Sequence, residues 1–308
     1  MSDALQAQAE ILKLARLLHR DPDELSYLGE IPSADIRRLR DQITDVLFDA
    51  QSHALGRVAA ASKLLPVGVA ATIGQRAFGP VLSARITGLL DPGRAVEIAD
   101  RMPIPFLADV AIELDPRRAR EVIARIPAQR IAQITGELVR RGEYVAMGRF
   151  VGHLPDGTLL AVVSAMDDAS LLRVAFVLEA KGGLDDLIAM LPPERLDSVI
   201  DAASREQLWV EALDLLANLA PEHRAELAER AGEHGDNVLE QIVRTATERG
   251  LWVELLPLLD SLSPDAVEIV AREAARLDPT QREAIAANAR AAGLGDQIAL
   301  LERAAQQA

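Results

Sequence analysis

Leu208-Trp209-Val210-Glu211 returns 43 residues later as Leu251-Trp252-Val253-Glu254, and these two stretches indicate how the chain is built. Around them, residues 208–250 and 251–293 align without a gap over 43 positions with 15 identities. A third copy begins at Leu294. Self-similarity with a period of this size is typical of proteins made of stacked helical units. The C-terminal part of the chain is therefore predicted to be a helical repeat array.

A shorter unit precedes this array. Residues 90–113 and 114–137 align over 24 positions with 10 identities. Four units have a proline preceded by a residue suited to capping a helix, because its side chain can accept a hydrogen bond from a backbone N–H. These residues are Asp91, Asp115, Ser263 and Asp278. The most strand-like stretch, Leu159 to Ser164, lies among such helical units, so we interpret it as a buried helix.

The expected architecture is all-α, with two regions. Residues 1–89 form an N-terminal helical region, and residues 90–308 form an α-solenoid of 24- and 43-residue repeats. The N-terminal region contains one long amphipathic pattern, with apolar residues three and four positions apart. Its apolar positions include Ile36, Leu39, Ile43 and Val46. This heptad-like spacing makes self-association through that helix plausible.

Composition excludes several classes of function. The chain has 33 basic and 47 acidic residues, a net charge of −14, so binding to nucleic-acid phosphates is not expected. It has no cysteine, which excludes disulfides, thiolate metal sites and a cysteine nucleophile. The five histidines form no zinc-binding pattern, and no Gly-x-Ser-x-Gly motif is present. We therefore expect no enzymatic activity and no cofactor.

The N-terminus has no secretory pattern, and the longest uncharged run, Leu64 to Gln75, is shorter than a bilayer requires. These two observations predict a cytoplasmic protein.

Residues 50–90, here called the acid-free segment, contain no aspartate or glutamate. Two interpretations remain open. The segment is either a contact surface for a membrane or a partner, or an internal helix pair that packs on the first repeat. The candidate contact residues are Arg57, Lys63, Arg76, Phe78, Val81 and Arg85. Basic residues beside apolar ones suit anionic lipid headgroups, whereas core helices exclude acids for packing reasons.

Leu114-Asp115-Pro116, Ile126-Pro127-Ala128-Gln129-Arg130-Ile131 and Leu191-Pro192-Pro193-Glu194-Arg195 resemble the intracellular N-terminal domain of MgtE-type magnesium transporters. The resemblance covers roughly residues 90–293. It implies a right-handed, armadillo- or HEAT-like superhelix of short helices, of the kind also found in the flagellar motor switch protein FliG. It implies docking or sensing, and it does not imply transport.

Two further features have a structural and a functional interpretation. The carboxylate pairs Asp167-Asp168 and Asp185-Asp186 are weak candidates for binding Mg²⁺, since this ion prefers oxygen ligands, but we favour helix capping and placement at the positive ends of helices as their explanation. Trp209 and Trp252 occupy equivalent repeat positions, which favours packing between units over ligand binding.

The sequence therefore supports three hypotheses. The first is a non-enzymatic scaffold that docks a protein partner or self-assembles. The second is a peripheral membrane or hydrophobic-ligand-binding protein that acts through residues 50–90. The third is a magnesium-responsive regulatory module.

Overall fold

The fold is entirely helical over the residues that the structure, a computed structural model, describes: 3–49, 52–178 and 181–306. Helices account for 81% of the chain, and no strand occurs in the described ranges, which confirms the predicted all-α class. The α-helices in these ranges are α1 (Asp3–Leu18), α2 (Ser33–Asp49), α3 (Ser52–Ser62), α4 (Val67–Ile73), α5 (Gly79–Thr87), α6 (Pro92–Ala99), α7 (Ile104–Glu113), α8 (Arg120–Ile123), α9 (Ala128–Arg141), α10 (Tyr144–Phe150), α11 (Asp156–Ser164), α12 (Asp168–Phe176), α13 (Leu184–Met190), α14 (Pro193–Glu206), α15 (Trp209–Ala217), α16 (Pro221–Glu233), α17 (Asp236–Arg249), α18 (Trp252–Leu255), α19 (Pro264–Ala275), α20 (Pro279–Ala291) and α21 (Gly295–Ala305). Short 3₁₀ turns occupy Pro22–Glu30, Val151–His153, Lys181–Gly183 and Leu256–Ser261, and a π-helical turn occupies Gly74–Phe78.

Two compact units make up the described chain. The N-terminal unit runs from Gln6 to Leu178, and the C-terminal unit comprises Lys181 to Gln306 together with residues 3–5. The sequence-based boundary after residue 89 stays a prediction about the repeat pattern. It lies within the N-terminal unit, in which α5 packs against α7. No helix in the described ranges is both long and apolar enough to cross a bilayer.

Three of the four predicted helix caps are confirmed. Asp91, Ser263 and Asp278 each accept a hydrogen bond from the backbone N–H three residues later, at 3.0, 3.2 and 2.8 Å. Asp115 is different, because no helix begins at the proline that follows it. Its carboxylate accepts from the backbone N–H of Arg117 and closes a turn, and α8 begins only at Arg120. The capping prediction for Asp115 was therefore wrong.

The 43-residue repeat is visible in the backbone of the C-terminal unit. Leu208, Leu251 and Leu294 precede α15, α18 and α21 with nearly the same dihedral angles, φ of −93°, −95° and −99° and ψ of 35°, 27° and 32°. The backbone N–H of each leucine donates to a carbonyl five residues earlier, at 2.9, 2.8 and 2.8 Å. The sequence repeat thus specifies a recurring local geometry.

A residue in the left-handed backbone conformation comes directly before each of these leucines and makes the recurring geometry possible. Gly250 and Gly293 have φ of 71° and 78°, and Gln207 takes the same position in the first copy with φ of 57°. Glycine adopts this region without the steric cost that a Cβ atom brings. The chain therefore turns out of one helix and into the next in the same way at three places.

Side chains from the repeats form the core of the C-terminal unit. Trp209 and Trp252 are buried, which confirms that they pack rather than stand exposed. Each indole N–H has a partner: Trp209 donates to Oε1 of Gln241 at 2.9 Å, and Trp252 to Oγ1 of Thr247 at 3.2 Å. Buried tryptophans with a satisfied N–H contribute both packing area and a fixed orientation.

Candidate functional site

The acid-free segment serves both core and surface. Leu55, Ala59 and Ile86 form a buried cluster, and Phe78 packs against it, half-buried. Ala71 belongs to a larger core cluster of the N-terminal unit. The internal-helix interpretation is therefore correct for one face of the segment.

Other apolar side chains of the segment are exposed. Leu64, in the turn between α3 and α4, is 88% exposed, the largest exposed fraction among the large apolar side chains of the described residues. Four more large apolar side chains of the segment are exposed, namely Leu65, Val69, Val81 and Leu82. Arg57, Lys63 and Arg76 are exposed as well, and Arg85 is half-buried. Basic and apolar groups are thus both presented to solvent here.

The turn that carries Leu64 is anchored. The guanidinium Nη2 of Arg94 donates to the carbonyl of Ser62 at 3.2 Å and also to the carbonyl of Leu65. Arg94 lies in the first turn of α6, whose start is fixed by the Asp91 cap. The structure therefore holds the exposed Leu64 side chain in a defined turn, and such anchoring reduces the entropy lost when a partner binds.

The heptad-like residues of α2 divide into two groups. Ile36 is buried in a cluster with Ile11 and Leu14 of α1, and Ile43 packs against the same cluster. Leu39 and Val46 are exposed. Ile36 therefore contributes to the core of its own chain, and only Leu39 and Val46 remain available for contact with a second copy.

One carboxylate of each pair, Asp167 and Asp185, is engaged in hydrogen bonds. Asp167 accepts from the backbone N–H and the hydroxyl of Ser170, at 2.8 and 2.7 Å, and caps α12. Asp185 accepts from the backbone N–H of Ala220 at 2.9 Å and lies 2.7 Å from Nδ1 of His223, and this hydrogen bond holds the pKa of Asp185 below its usual value. Asp168 and Asp186 lie in the first turns of α12 and α13.

Across the described ranges, no three histidine, aspartate or glutamate side chains lie close enough to share a metal ion. The geometry therefore favours the capping interpretation of these carboxylates over the magnesium one.

A polar cavity of the N-terminal unit, here called the polar pocket, is a site that sequence reasoning missed. It has a volume of about 110 Å³ and is lined by charged side chains of α1, α2, α7, α10 and the turn before α8. The cationic lining residues are Lys13, Arg16, Arg40, Arg117 and Arg149; the anionic ones are Asp41, Glu113 and Asp115; His19, Thr44 and His153 complete the polar wall.

A buried carboxylate organises one side of this pocket. Glu10 of α1 is buried, and it pairs with Lys13 at 2.8 Å and with Arg37 and Arg40 at 2.9 Å each. Burial raises the pKa of Glu10, but the ion pairs with Lys13, Arg40 and Arg37 outweigh burial and hold this pKa below its usual value. One carboxylate thus holds three cationic side chains.

Asp115 organises the other side. It accepts from the Arg117 backbone N–H at 3.1 Å and from its guanidinium Nε and Nη2 at 3.2 and 3.1 Å, and Nε of Arg118 lies 3.4 Å away. Burial raises the pKa of Asp115, and the bonds from Arg117 reverse this effect, so the net pKa is lowered. The turn that replaces the predicted helix start at Asp115 therefore fixes an arginine at the pocket wall.

One sequence signal for this pocket existed. Ala7, Ile11 and Leu14 follow one another at helical spacing on α1, and Glu10 falls next to this apolar stripe, where a charged residue is unusual. The partners of Glu10, however, lie up to 30 residues away from it in the chain, and Asp115, on the other side of the pocket, is more than 100 residues away. Pairing over such separations is set by tertiary packing, so local patterns do not reveal it.

Comparison with known proteins gives no relative. No protein-family model matches this chain, and neither a curated protein nor a solved structure is significantly similar to it. The resemblance of residues 90–293 to the N-terminal domain of MgtE-type transporters accordingly stays a prediction, and function has to be argued from the geometry described above.

Proposed function

We propose that this protein is a non-enzymatic, cytoplasmic interaction protein that docks a protein partner or a second copy of itself through its acid-free segment. The observation that carries the proposal is the exposure of Leu64 together with its anchored turn. Five of the 13 large apolar side chains that are exposed in the described residues fall between Leu64 and Leu82, and clusters of such groups mark interaction sites. The bonds from Arg94 hold the turn in place before any partner arrives.

The charges around this segment favour an acidic partner surface. Arg57, Lys63 and Arg76 are exposed, and no carboxylate of residues 50–90 opposes them. The chain as a whole carries a net charge of −14, so a second copy of it is itself an acidic partner. Such an interface would weaken as salt increases, because screening acts on exposed charges.

The architecture proposed for this role is a right-handed, HEAT- or armadillo-like α-solenoid. The recurring geometry at Leu208, Leu251 and Leu294 supports it, as does the packing of α15 on α17, α17 on α19 and α19 on α21. Short helices that stack in this order share one continuous core. The handedness rests on the resemblance to the transporter domain.

Light scattering coupled to size exclusion tests self-assembly directly. The measurement compares the full chain with Leu64→Asp at low and high salt, and Leu160→Asp is the control. Leu160 of α11 is 46% exposed and lies outside the acid-free segment. We expect an oligomer that Leu64→Asp and high salt both dissociate and that Leu160→Asp leaves intact. A monomer under every condition would overturn self-assembly through this segment.

The second candidate is peripheral membrane binding, and a specific observation favours it. Lys63, Leu64 and Leu65 are consecutive and all exposed, so a cation and two apolar side chains point outward from one turn. This combination suits the boundary between anionic headgroups and acyl chains.

Co-sedimentation distinguishes the two candidates. The probe is a vesicle of phosphatidylcholine with phosphatidylserine, compared with phosphatidylcholine alone. A monomeric chain that binds only the anionic vesicles, and loses binding in Leu64→Asp but not in Leu160→Asp, would replace the protein-docking proposal with the membrane one. Absence of vesicle binding from an oligomeric chain supports protein docking.

A further inference from the structure

The wall of the polar pocket has more positive than negative charge. Five cationic and three anionic side chains line it, although the whole chain carries a net charge of −14. A local excess of cations in an acidic protein is not expected from composition. Carboxylates behind the wall balance part of this charge, because Glu10 pairs with Lys13 and Arg40 and Glu143 pairs with Arg16, and they hold these cations in position.

Four of the five cations are arginines, and this residue type suits oxyanions. A guanidinium is planar and has five N–H donors in a fixed fork, which matches the oxygen atoms of phosphate or carboxylate groups. The carboxylates of Glu10 and Asp41 hold the guanidinium of Arg40 at 2.9 and 3.0 Å. Asp115 holds that of Arg117. Cations fixed in this way lose little further freedom when an anion binds.

Two of these arginines use only some of their guanidinium N–H groups in the contacts described here. The bonds from Arg117 to Asp115 use Nε and Nη2, whereas its Nη1 lies 3.9 Å from Asp41, beyond hydrogen-bond distance. Arg16 pairs through Nη2 with Glu143 at 2.7 Å, and its side chain is 40% exposed. Both guanidinium groups therefore have N–H groups that an incoming anion can use.

From these observations we infer that the polar pocket binds a small oxyanion, a phosphate or carboxylate group, with Arg16 and Arg117 as its principal ligands. The volume of about 110 Å³ limits the size of this group. A single water needs roughly 10 to 15 Å³ of such space, so the pocket admits a group of several heavy atoms, such as inorganic phosphate. The three wall carboxylates would repel a larger polyanion.

The test uses the full chain and two defined probes, inorganic phosphate and malonate. Thermal unfolding and titration calorimetry are measured with each probe against sodium chloride of equal ionic strength. We expect a saturable rise in melting temperature with at least one probe, because a ligand that binds only the folded state stabilises it. Chloride at matched ionic strength should produce no such saturation.

Three variants localise the effect. Arg16→Gln removes a half-exposed cation without opening the core, and it should weaken binding about ten-fold, the loss that one charge-assisted hydrogen bond commonly brings. Arg117→Lys keeps the charge and the pairing with Asp115 but removes the planar fork, and we expect a loss of similar size. Arg101→Gln makes the same charge change at an exposed residue that does not line the pocket, so its affinity should equal that of the unmodified chain.

Two results would overturn the inference. One is that neither probe stabilises the chain more than chloride does. The other is that Arg16→Gln and Arg117→Lys bind the probe as tightly as Arg101→Gln, which would place the anion elsewhere on the surface. Neither result bears on the docking proposal, since that proposal depends on Leu64 and is read from oligomeric state.

Discussion

Lys13 and Glu10 form an ion pair of 2.8 Å in which both side chains are 1% exposed. They lie three residues apart on α1, so one turn of helix brings them together. Arg37 and Arg40 reach the same carboxylate from α2, and Glu10 therefore joins two helices. A buried charge of this kind is stable only while its partners remain.

Removing this carboxylate should destabilise the fold strongly. Glu10→Gln leaves three cations with less compensation, and breaking a buried pair typically costs about 3 to 5 kcal/mol. The free energy of unfolding from urea denaturation measures this cost. Glu24→Gln is the control, because Glu24 pairs with Arg20 at an exposed site, where such pairs contribute at most about 1 kcal/mol. Equal effects of the two variants would contradict the assigned role of Glu10.

The same carboxylate predicts a direction for acid sensitivity. The folded-state pKa of Glu10 lies below its ordinary value of 4.5, so its ion pairs contribute stability above that value. This contribution is lost as pH falls through the folded pKa. Urea midpoints measured from pH 6 downward should therefore fall more steeply in the unmodified chain than in Glu10→Gln. Parallel curves for the two proteins would show that Glu10 is not linked to folding.

Magnesium should leave stability unchanged. Asp167 and Asp185 each accept two hydrogen bonds, and no three acidic or histidine side chains of the described residues converge to hold an ion. We expect millimolar magnesium to shift the melting temperature no more than sodium chloride of matched ionic strength does. A larger shift with magnesium, abolished in Asp185→Asn, would revive the hypothesis of a magnesium-responsive module.

Glycine at the repeat junction has a conformational role that substitution can reveal. Gly250 has φ of 71°, and Gly250→Ala should cost about 1 kcal/mol because a Cβ atom disfavours this region. Gly136 lies inside α9 with open space around it, so Gly136→Ala should stabilise by about 0.5 to 1 kcal/mol. Chemical denaturation of both variants should show a lower free energy of unfolding for Gly250→Ala and a higher one for Gly136→Ala. Destabilisation of similar size in both would contradict the argument.

Sequence and structure agree where the determinants of structure are local or periodic. The helical class and the recurrence at Leu208, Leu251 and Leu294 follow from spacing, caps and identities between copies. The failure at Asp115 shows the limit of this reasoning. An aspartate before a proline suits both a helix cap and a turn, and here the guanidinium of Arg117 bonds the same carboxylate and accompanies the turn.

The candidate sites depend on contacts that local patterns do not contain. Composition alone left open whether residues 50–90 are core or surface. The structure shows both within seven positions, since Ala71 is buried and Leu64 is exposed. The polar pocket joins side chains from α1 to α10, and its pairs link positions as far apart as Asp41 and Arg117. Contacts between residues this far apart in the chain depend on how the helices stack.

Repeat geometry makes a final prediction that separates a modular array from an ordinary globular unit. Deleting residues 208–250 would join Gln207 to Leu251, and both sides of that junction already have the required conformation. Gln207 has φ of 57°, close to the 71° of Gly250, and Leu208 and Leu251 share their dihedral angles. In a repeat array each unit contacts mainly its neighbours, so removal of one period leaves the remaining interfaces equivalent.

We therefore expect the shortened chain to unfold cooperatively and to keep its helical content per residue, as circular dichroism with urea would show. The control deletion removes only residues 208–228, about half a period, and joins helices out of phase. It takes away fewer residues yet should abolish cooperative unfolding, because it removes α15 and most of α16 and leaves α17 without these two packing partners. If both deletions unfold the chain to the same extent, the repeat in the sequence does not correspond to an independent structural unit.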